Sequence, residues 1–218
     1  MFYTNQNYST RYYDNRKQEV IEKLTYGFAI AVLMATIVIY GGMNPLFGLL
    51  AFVGEIVAII GYFFARQEGT IEKLYYLFVV SSSVLLGFTL QTVLAVVPNA
   101  MAIITESLGI TALLVGGIYY YTDSERPEPG RMVKYLLPLS LGFIVVAIIG
   151  IFVSFGSFGM LLFSIFGALL FSFYLIYDLS RLLKGQYMSP SRMAWNIYWD
   201  ILLIFKMILQ ILLNLDRN

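Results

Sequence analysis

The chain has 218 residues, 59% of them hydrophobic and 12% charged, about half the charged share of an ordinary soluble domain (roughly 25%). Its net charge of +1 offers no basic field for nucleic acid. Cysteine and histidine are both absent, which excludes disulfides, thiolate chemistry, Ser-His dyads, HExxH zinc helices and the glutamate/histidine sites of many intramembrane hydrolases.

The first 24 residues are polar and rich in Tyr and Asn. They lack the apolar core of a cleavable signal, and the expectation is a poorly ordered tail with at most a short interfacial helix near Glu19–Leu24. Seven continuous apolar runs follow: Tyr26–Tyr40, Leu46–Ala65, Leu77–Val97, Met101–Tyr121, Tyr135–Phe155, Phe158–Tyr177 and Trp195–Leu213. About 20 residues cross a bilayer as a helix, and unbroken runs do not alternate as barrel strands do. Residues 25–218 are therefore predicted to form an all-α, seven-span transmembrane domain in the lipid bilayer. The breaks GGMNP (41–45), ARQEGTIEK (65–73), VPNA (97–100), TDSERPEPGR (122–131), SFGSFG (154–159) and SRLLKGQYMSPSR (180–192) each carry Gly, Pro, Asn or a charge cluster.

Lys and Arg number four in the N-terminal tail and two, three and three around the second, fourth and sixth breaks, Lys134 just before the fifth span counted with the fourth; the other breaks have none, and the C-terminal tail has only Arg217. This asymmetry predicts a cytoplasmic N-terminus and an outside C-terminus, at the plasma membrane if the source is prokaryotic. Small residues recur in the spans, as in Gly109, Ala112, Gly116 and in Ser164, Ala168, Ser172, a pattern that suits close helix approach.

The most informative residues are charges inside or at the edge of apolar runs: Glu55, Arg66, Asp178, Asp200 and Lys206, with Glu106 near a span end. A carboxylate at mid-helix costs roughly 2.5–3.5 kcal/mol on insertion, so such residues line a cavity or path more often than they face lipid. Snorkelling explains Arg66 and Glu106. It does not explain Glu55, Asp200 and Lys206, whose flanks are apolar. At 1.5 Å rise per residue, Asp178 sits about one turn inside the sixth span and Asp200 roughly 12 Å from Arg192 on the seventh. Glu55 lies roughly 16 Å deeper than Arg66, and Lys206 roughly 20 Å deeper than Arg192, so these two are expected to face each other near mid-membrane. Tyr174 and Asn196 stand four residues before Asp178 and Asp200. Each shares its aspartate's face and is expected to satisfy carboxylate oxygens. Two carboxylates a few Å apart in low dielectric share a proton and titrate as a pair. That supplies a pH sensor without imidazole, with Arg66 as a charge-assisted latch. A purely structural ion-pair network is the alternative.

The stretch FSFYLIYDLSRLL, a short basic loop and then NIYWDILLIFKMILQIL, together with GEIVAIIGYFFAR in the second span, resembles the Bax inhibitor-1 family in its bacterial form. The resemblance covers essentially the whole chain. It implies six helices around a central seventh and a pH-sensitive calcium leak. Asp178 and Asp200 would be the family's aspartate dyad, Arg66 its latch, and Glu55 a pore-lining residue; the pairing of Glu55 with Lys206 is an inference from depth alone. Calcium would be the permeant ion, held weakly by Asp178 and Asp200. Ca²⁺ takes six to eight oxygens, and two carboxylates with Tyr, Asn and water form a loose site that suits permeation. No cofactor and no enzymatic activity are expected.

Three other readings compete. An intramembrane aspartyl protease would carry Gly-x-Gly-Asp where IYWDI stands, with a Pro-Ala-Leu motif after it. A retinal protein, suggested by Lys206, would need a counter-ion that the third span LFVVSSSVLLGFTLQTVLAVV lacks. A proton-coupled transporter of a small solute could use the same carboxylates, and is the principal alternative.

Overall fold

In the computed structural model, which describes residues 4–153, 155–186 and 189–216, with side chains from residue 15 on and not at 151, the chain forms seven α-helices. These are α1 (Thr4–Gly41), α2 (Pro45–Phe64), α3 (Glu68–Val96), α4 (Ala100–Glu125), α5 (Pro129–Phe152), α6 (Ser157–Leu183) and α7 (Pro190–Asp216). All seven are long and apolar enough to cross a membrane. No strand occurs among the described residues, in keeping with the need to satisfy every backbone group inside a bilayer.

Helix ends follow local chemistry. Gly42 supplies the positive φ of 61° after α1. Asn44 caps α2, its side chain accepting from the Leu46 amide at 2.9 Å, with Pro45 in the first turn. α6 ends in a Schellman motif: Gly185 takes φ 62°, its N–H bonds the Leu182 carbonyl, and the Gln186 N–H bonds that of Arg181. At the start of α7, the Ser189 hydroxyl accepts from the Arg192 amide at 3.0 Å and Pro190 opens the helix.

One expectation is corrected here. From Thr4 on the polar N-terminal stretch is not an irregular tail; the helix expected near Glu19–Leu24 belongs to α1, which continues without a break into the first span. Lys23 gives one reason. It is buried and pairs with Glu72 of α3 at 2.7 Å and with Glu19 at 3.5 Å, while the Tyr75 hydroxyl donates to its carbonyl at 3.0 Å. α3 likewise begins at Glu68 rather than Leu77, because apolar length marks contact with lipid, not the limit of helix.

The chain divides into two units, Met1–Ala100 with Tyr187–Tyr198, and Met101–Gln186 with Trp199–Asn218. In the first, α3 packs on α1 and α2. A Cβ at Gly87 would stand 2.7 Å from the Val38 Cβ and 3.2 Å from the Ala35 Cα, so that crossing needs glycine; one at Gly54 would stand 2.5 Å from the Ser81 hydroxyl, which would have to turn aside. In the second, α5 packs on α6 around Leu136, Phe143 and Leu170, with the Phe143 and Phe163 rings stacked at 4.5 Å. There Gly167 is the close-approach residue, pressed by Met207 of α7. Gly109 and Gly116, read from sequence as packing positions, face open space. α3 and α7 are the most buried spans, each 44% buried along its apolar stretch, against 11–22% for the others.

Candidate functional site: a buried aspartate pair

The penultimate turn of α6 and the middle of α7 bring Asp178 and Asp200 into the second unit, exposed by only 4% and 6%. Asp178 lies within electrostatic range of Asp200. The two acids named from sequence as a dyad therefore act on each other away from water, where charge interactions are screened least.

Their surroundings differ. Arg181, one turn beyond Asp178, places Nη1 3.5 Å from Oδ1 of Asp178 and donates from Nε to the Gln186 carbonyl at 3.1 Å. Its guanidinium also lies over the Tyr177 ring, 5.4 Å from the centroid. The Schellman turn that presents the Gln186 carbonyl thus fixes the cation beside Asp178. Asp200, in contrast, keeps its Oδ2 buried without a hydrogen-bond partner. It lies at the edge of an open groove of about 420 Å³ lined by α5, α6 and α7, with Phe143, Phe171, Tyr174 and Trp199 along it.

The supporting residues named from sequence are engaged elsewhere. The Tyr174 hydroxyl donates to the Leu136 carbonyl of α5 at 3.3 Å. A phenol has one proton, so this bond withdraws it from Asp178. Asn196 belongs to the first unit, where its Oδ1 accepts from the Tyr62 hydroxyl at 2.9 Å. Arg66 is exposed, in the break between α2 and α3. The arginine in contact with Asp178 is Arg181, which the sequence reading had counted only as a loop charge. Its signal was the i,i+3 spacing inside DLSR. Glu55 is half-buried in the first unit, within electrostatic range of Tyr198, and Lys206 is half-buried in the second.

The first unit carries a separate polar network. Glu68 accepts from the Ser191 amide at the start of α7, at 2.9 Å. Arg192 donates to the Ala65 carbonyl and lies 4.9 Å from the Tyr62 ring centroid. Tyr198 hydrogen-bonds with Ser82 and Ser83 of α3 at 3.4 and 3.2 Å. These contacts join residues more than a hundred positions apart and had no signature in the sequence. No cluster of three or more Asp, Glu, His or Cys suited to a metal occurs among the described residues. A full protein cage for calcium is thus not offered by acidic side chains alone.

Residues 18–217 match the family model described as "Inhibitor of apoptosis-promoting Bax1". The chain is 31% identical over 207 residues to an uncharacterized protein of Helicobacter pylori (strain ATCC 700392 / 26695), covering 90% of this chain and 88% of that one. It is 30% identical over 190 residues to an uncharacterized membrane protein of Vibrio cholerae, covering 85% and 82%. A Campylobacter jejuni protein is 26% identical over 207 residues, covering 90% and 89%. With its seven membrane-length helices and a match along nearly its whole length, the chain belongs to the Bax inhibitor-1 family.

Proposed function

We propose that this protein is a pH-sensitive calcium leak channel that contributes to calcium homeostasis. Asp178 and Asp200 share a proton, and proton occupancy sets the fraction of open channels. The N-terminus is cytoplasmic, the C-terminus lies outside, and in a bacterium the membrane is the plasma membrane. The protein does no covalent chemistry.

The observation that carries this reading is the pair itself: two acids within electrostatic range, both buried, one with an oxygen that no protein group satisfies. Like charges in a low-dielectric site favour the singly protonated pair. Removing or adding that one proton changes the charge beside Arg181, whose bond to Asp178 then strengthens or weakens. A loose site of few oxygens also suits an ion that must leave as readily as it enters. In this reading the latch cation is Arg181, in contact with Asp178. The family resemblance instead assigns that role to Arg66.

Calcium flux from liposomes containing the purified protein, measured across pH, tests the proposal. Wild type should leak calcium with a pH-dependent rate, and Asp178→Asn with Asp200→Asn should flatten that dependence. An unchanged flux and pH profile in the double variant overturns the mechanism. Arg181→Gln and Arg66→Gln, compared in the same assay, identify the latch: the variant that shifts the profile names the arginine.

A further inference from the structure

We infer that the corner between α2 and α3 is an autoinhibitory clamp on the start of α7: Glu68 caps α7, Arg192 of α7 caps α2, and leak through the protein requires these bonds to open. The inference rests on the calcium reading above and adds a regulatory element to it.

Helix-end accounting points to the clamp. The first N–H groups of a helix and its last carbonyls have no partner within the helix. At α7, Pro190 brings no N–H, the Arg192 N–H goes to the Ser189 hydroxyl at 3.0 Å, and the Met193 N–H goes to the Ser189 carbonyl at 3.1 Å. The Ser191 N–H instead reaches across to Glu68 at 2.9 Å. Arg192 supplies a donor in return, to the carbonyl of Ala65, the C-cap residue of α2. An anion thus sits at the positive end of α7 and a cation at the negative end of α2. A third link lies one turn further on, where the Tyr62 hydroxyl donates to Asn196 at 2.9 Å and its ring centroid lies 4.9 Å from the Arg192 guanidinium.

These bonds fix the register of α7 because they are directional. The other contacts of the same stretch tolerate a shift. Phe78 and Trp195 are stacked, with centroids 4.7 Å apart and rings 15° from parallel, and such faces can slide. Tyr198 has two serines to bond, Ser82 at 3.4 Å and Ser83 at 3.2 Å, and either can serve it. Release also has something to gain: the Ser191 Oγ is fully buried with no hydrogen-bond partner, and opening the clamp gives it water. Beyond Pro190, α7 contains neither proline nor glycine through Asp216, so it moves as a stiff rod. A displacement at Ser191 therefore reaches Asp200, about 13.5 Å further along. With the clamp closed, the acids exchange their proton without parting.

Calcium flux from liposomes, with protein-free liposomes as baseline, tests the clamp. Glu68→Ala and Arg192→Met, each made alone, should leak roughly fivefold faster than wild type or more at every pH, the shift expected when a closed state loses one ordinary hydrogen bond. A locking variant separates a clamp from a loosened fold. The chain has no cysteine, so Glu68→Cys with Ser191→Cys confines all thiols to the clamp. That variant should leak fast when reduced, and no faster than wild type once a short bifunctional thiol reagent has joined the pair. Wild type, lacking thiols, is the reagent control. If wild type leaks with its pH dependence and neither single variant is faster, the clamp is wrong and the calcium reading stands. Unchanged leak after cross-linking also overturns the clamp. If neither wild type nor any variant leaks calcium, both fall together.

Discussion

The two units of this protein treat buried polar groups in opposite ways. In the first, Tyr62, Glu68, Arg192 and Tyr198 each bond to a residue more than a hundred positions away, and Gly87 lets α3 approach the α1 backbone at Ala35. In the second, the aromatic packing of α5 on α6 leaves open grooves of about 450 and 420 Å³, and the buried Oδ2 of Asp200 has no hydrogen-bond partner. Ser191 Oγ is the first unit's exception. Satisfied networks fix a structure. A buried acid without a partner lowers stability and persists where a protein uses it, so the contrast assigns rigidity to one unit and chemistry to the other.

The contrast can be broken by mutation, with thermal unfolding of the purified protein in detergent as the common measurement. The largest effect belongs to the crossing with the least room to yield, where the neighbours are a Cβ and a backbone Cα. Gly87→Leu drives a side chain into Val38 and is expected to cost about 3 kcal/mol. Glu68→Ala removes the acceptor from the Ser191 amide at the start of α7 and should cost about 1–2 kcal/mol. Tyr62→Phe deletes the bond to Asn196 but keeps the ring under Arg192, for a loss of about 1 kcal/mol. Asp200→Asn should lower stability not at all, because it keeps the shape of a side chain whose Oδ2 has no hydrogen-bond partner to lose. If that variant unfolds as early as Glu68→Ala, the acid is a structural member and the contrast between the units is wrong. Smallest of all, Gly116→Ala meets open space and should be neutral or gain a few tenths of a kcal/mol from helix propensity.

Much of this architecture is legible in the chain because lipid imposes a simple rule on composition. Seven apolar runs became seven helices, and the two acids that interrupt such runs proved buried and within electrostatic range of each other. What the sequence misplaced shares one cause: hydropathy registers contact with hydrocarbon and is blind to where a polar group sends its hydrogen bond. The same blindness cut α1 and α3 short, since Lys23 and Glu68 continue their helices by pairing with protein. Tyr174 does stand one turn from Asp178, yet its single proton goes to α5. Periodicity names a face but not a partner. Arg181 was missed for a related reason: it was counted with the loop charges, and the Schellman turn that holds it is visible only once Gly185 is seen at positive φ.

The unbroken first helix has a practical corollary. Its 38 residues extend about 57 Å at 1.5 Å each, while the hydrocarbon layer is only about 30 Å thick. Roughly 27 Å of stiff rod therefore exceeds the thickness of the oily layer. A fluorophore attached at the outer end would ride on a mast, and energy transfer from it to a dye in the lipid would report any lean of that mast directly.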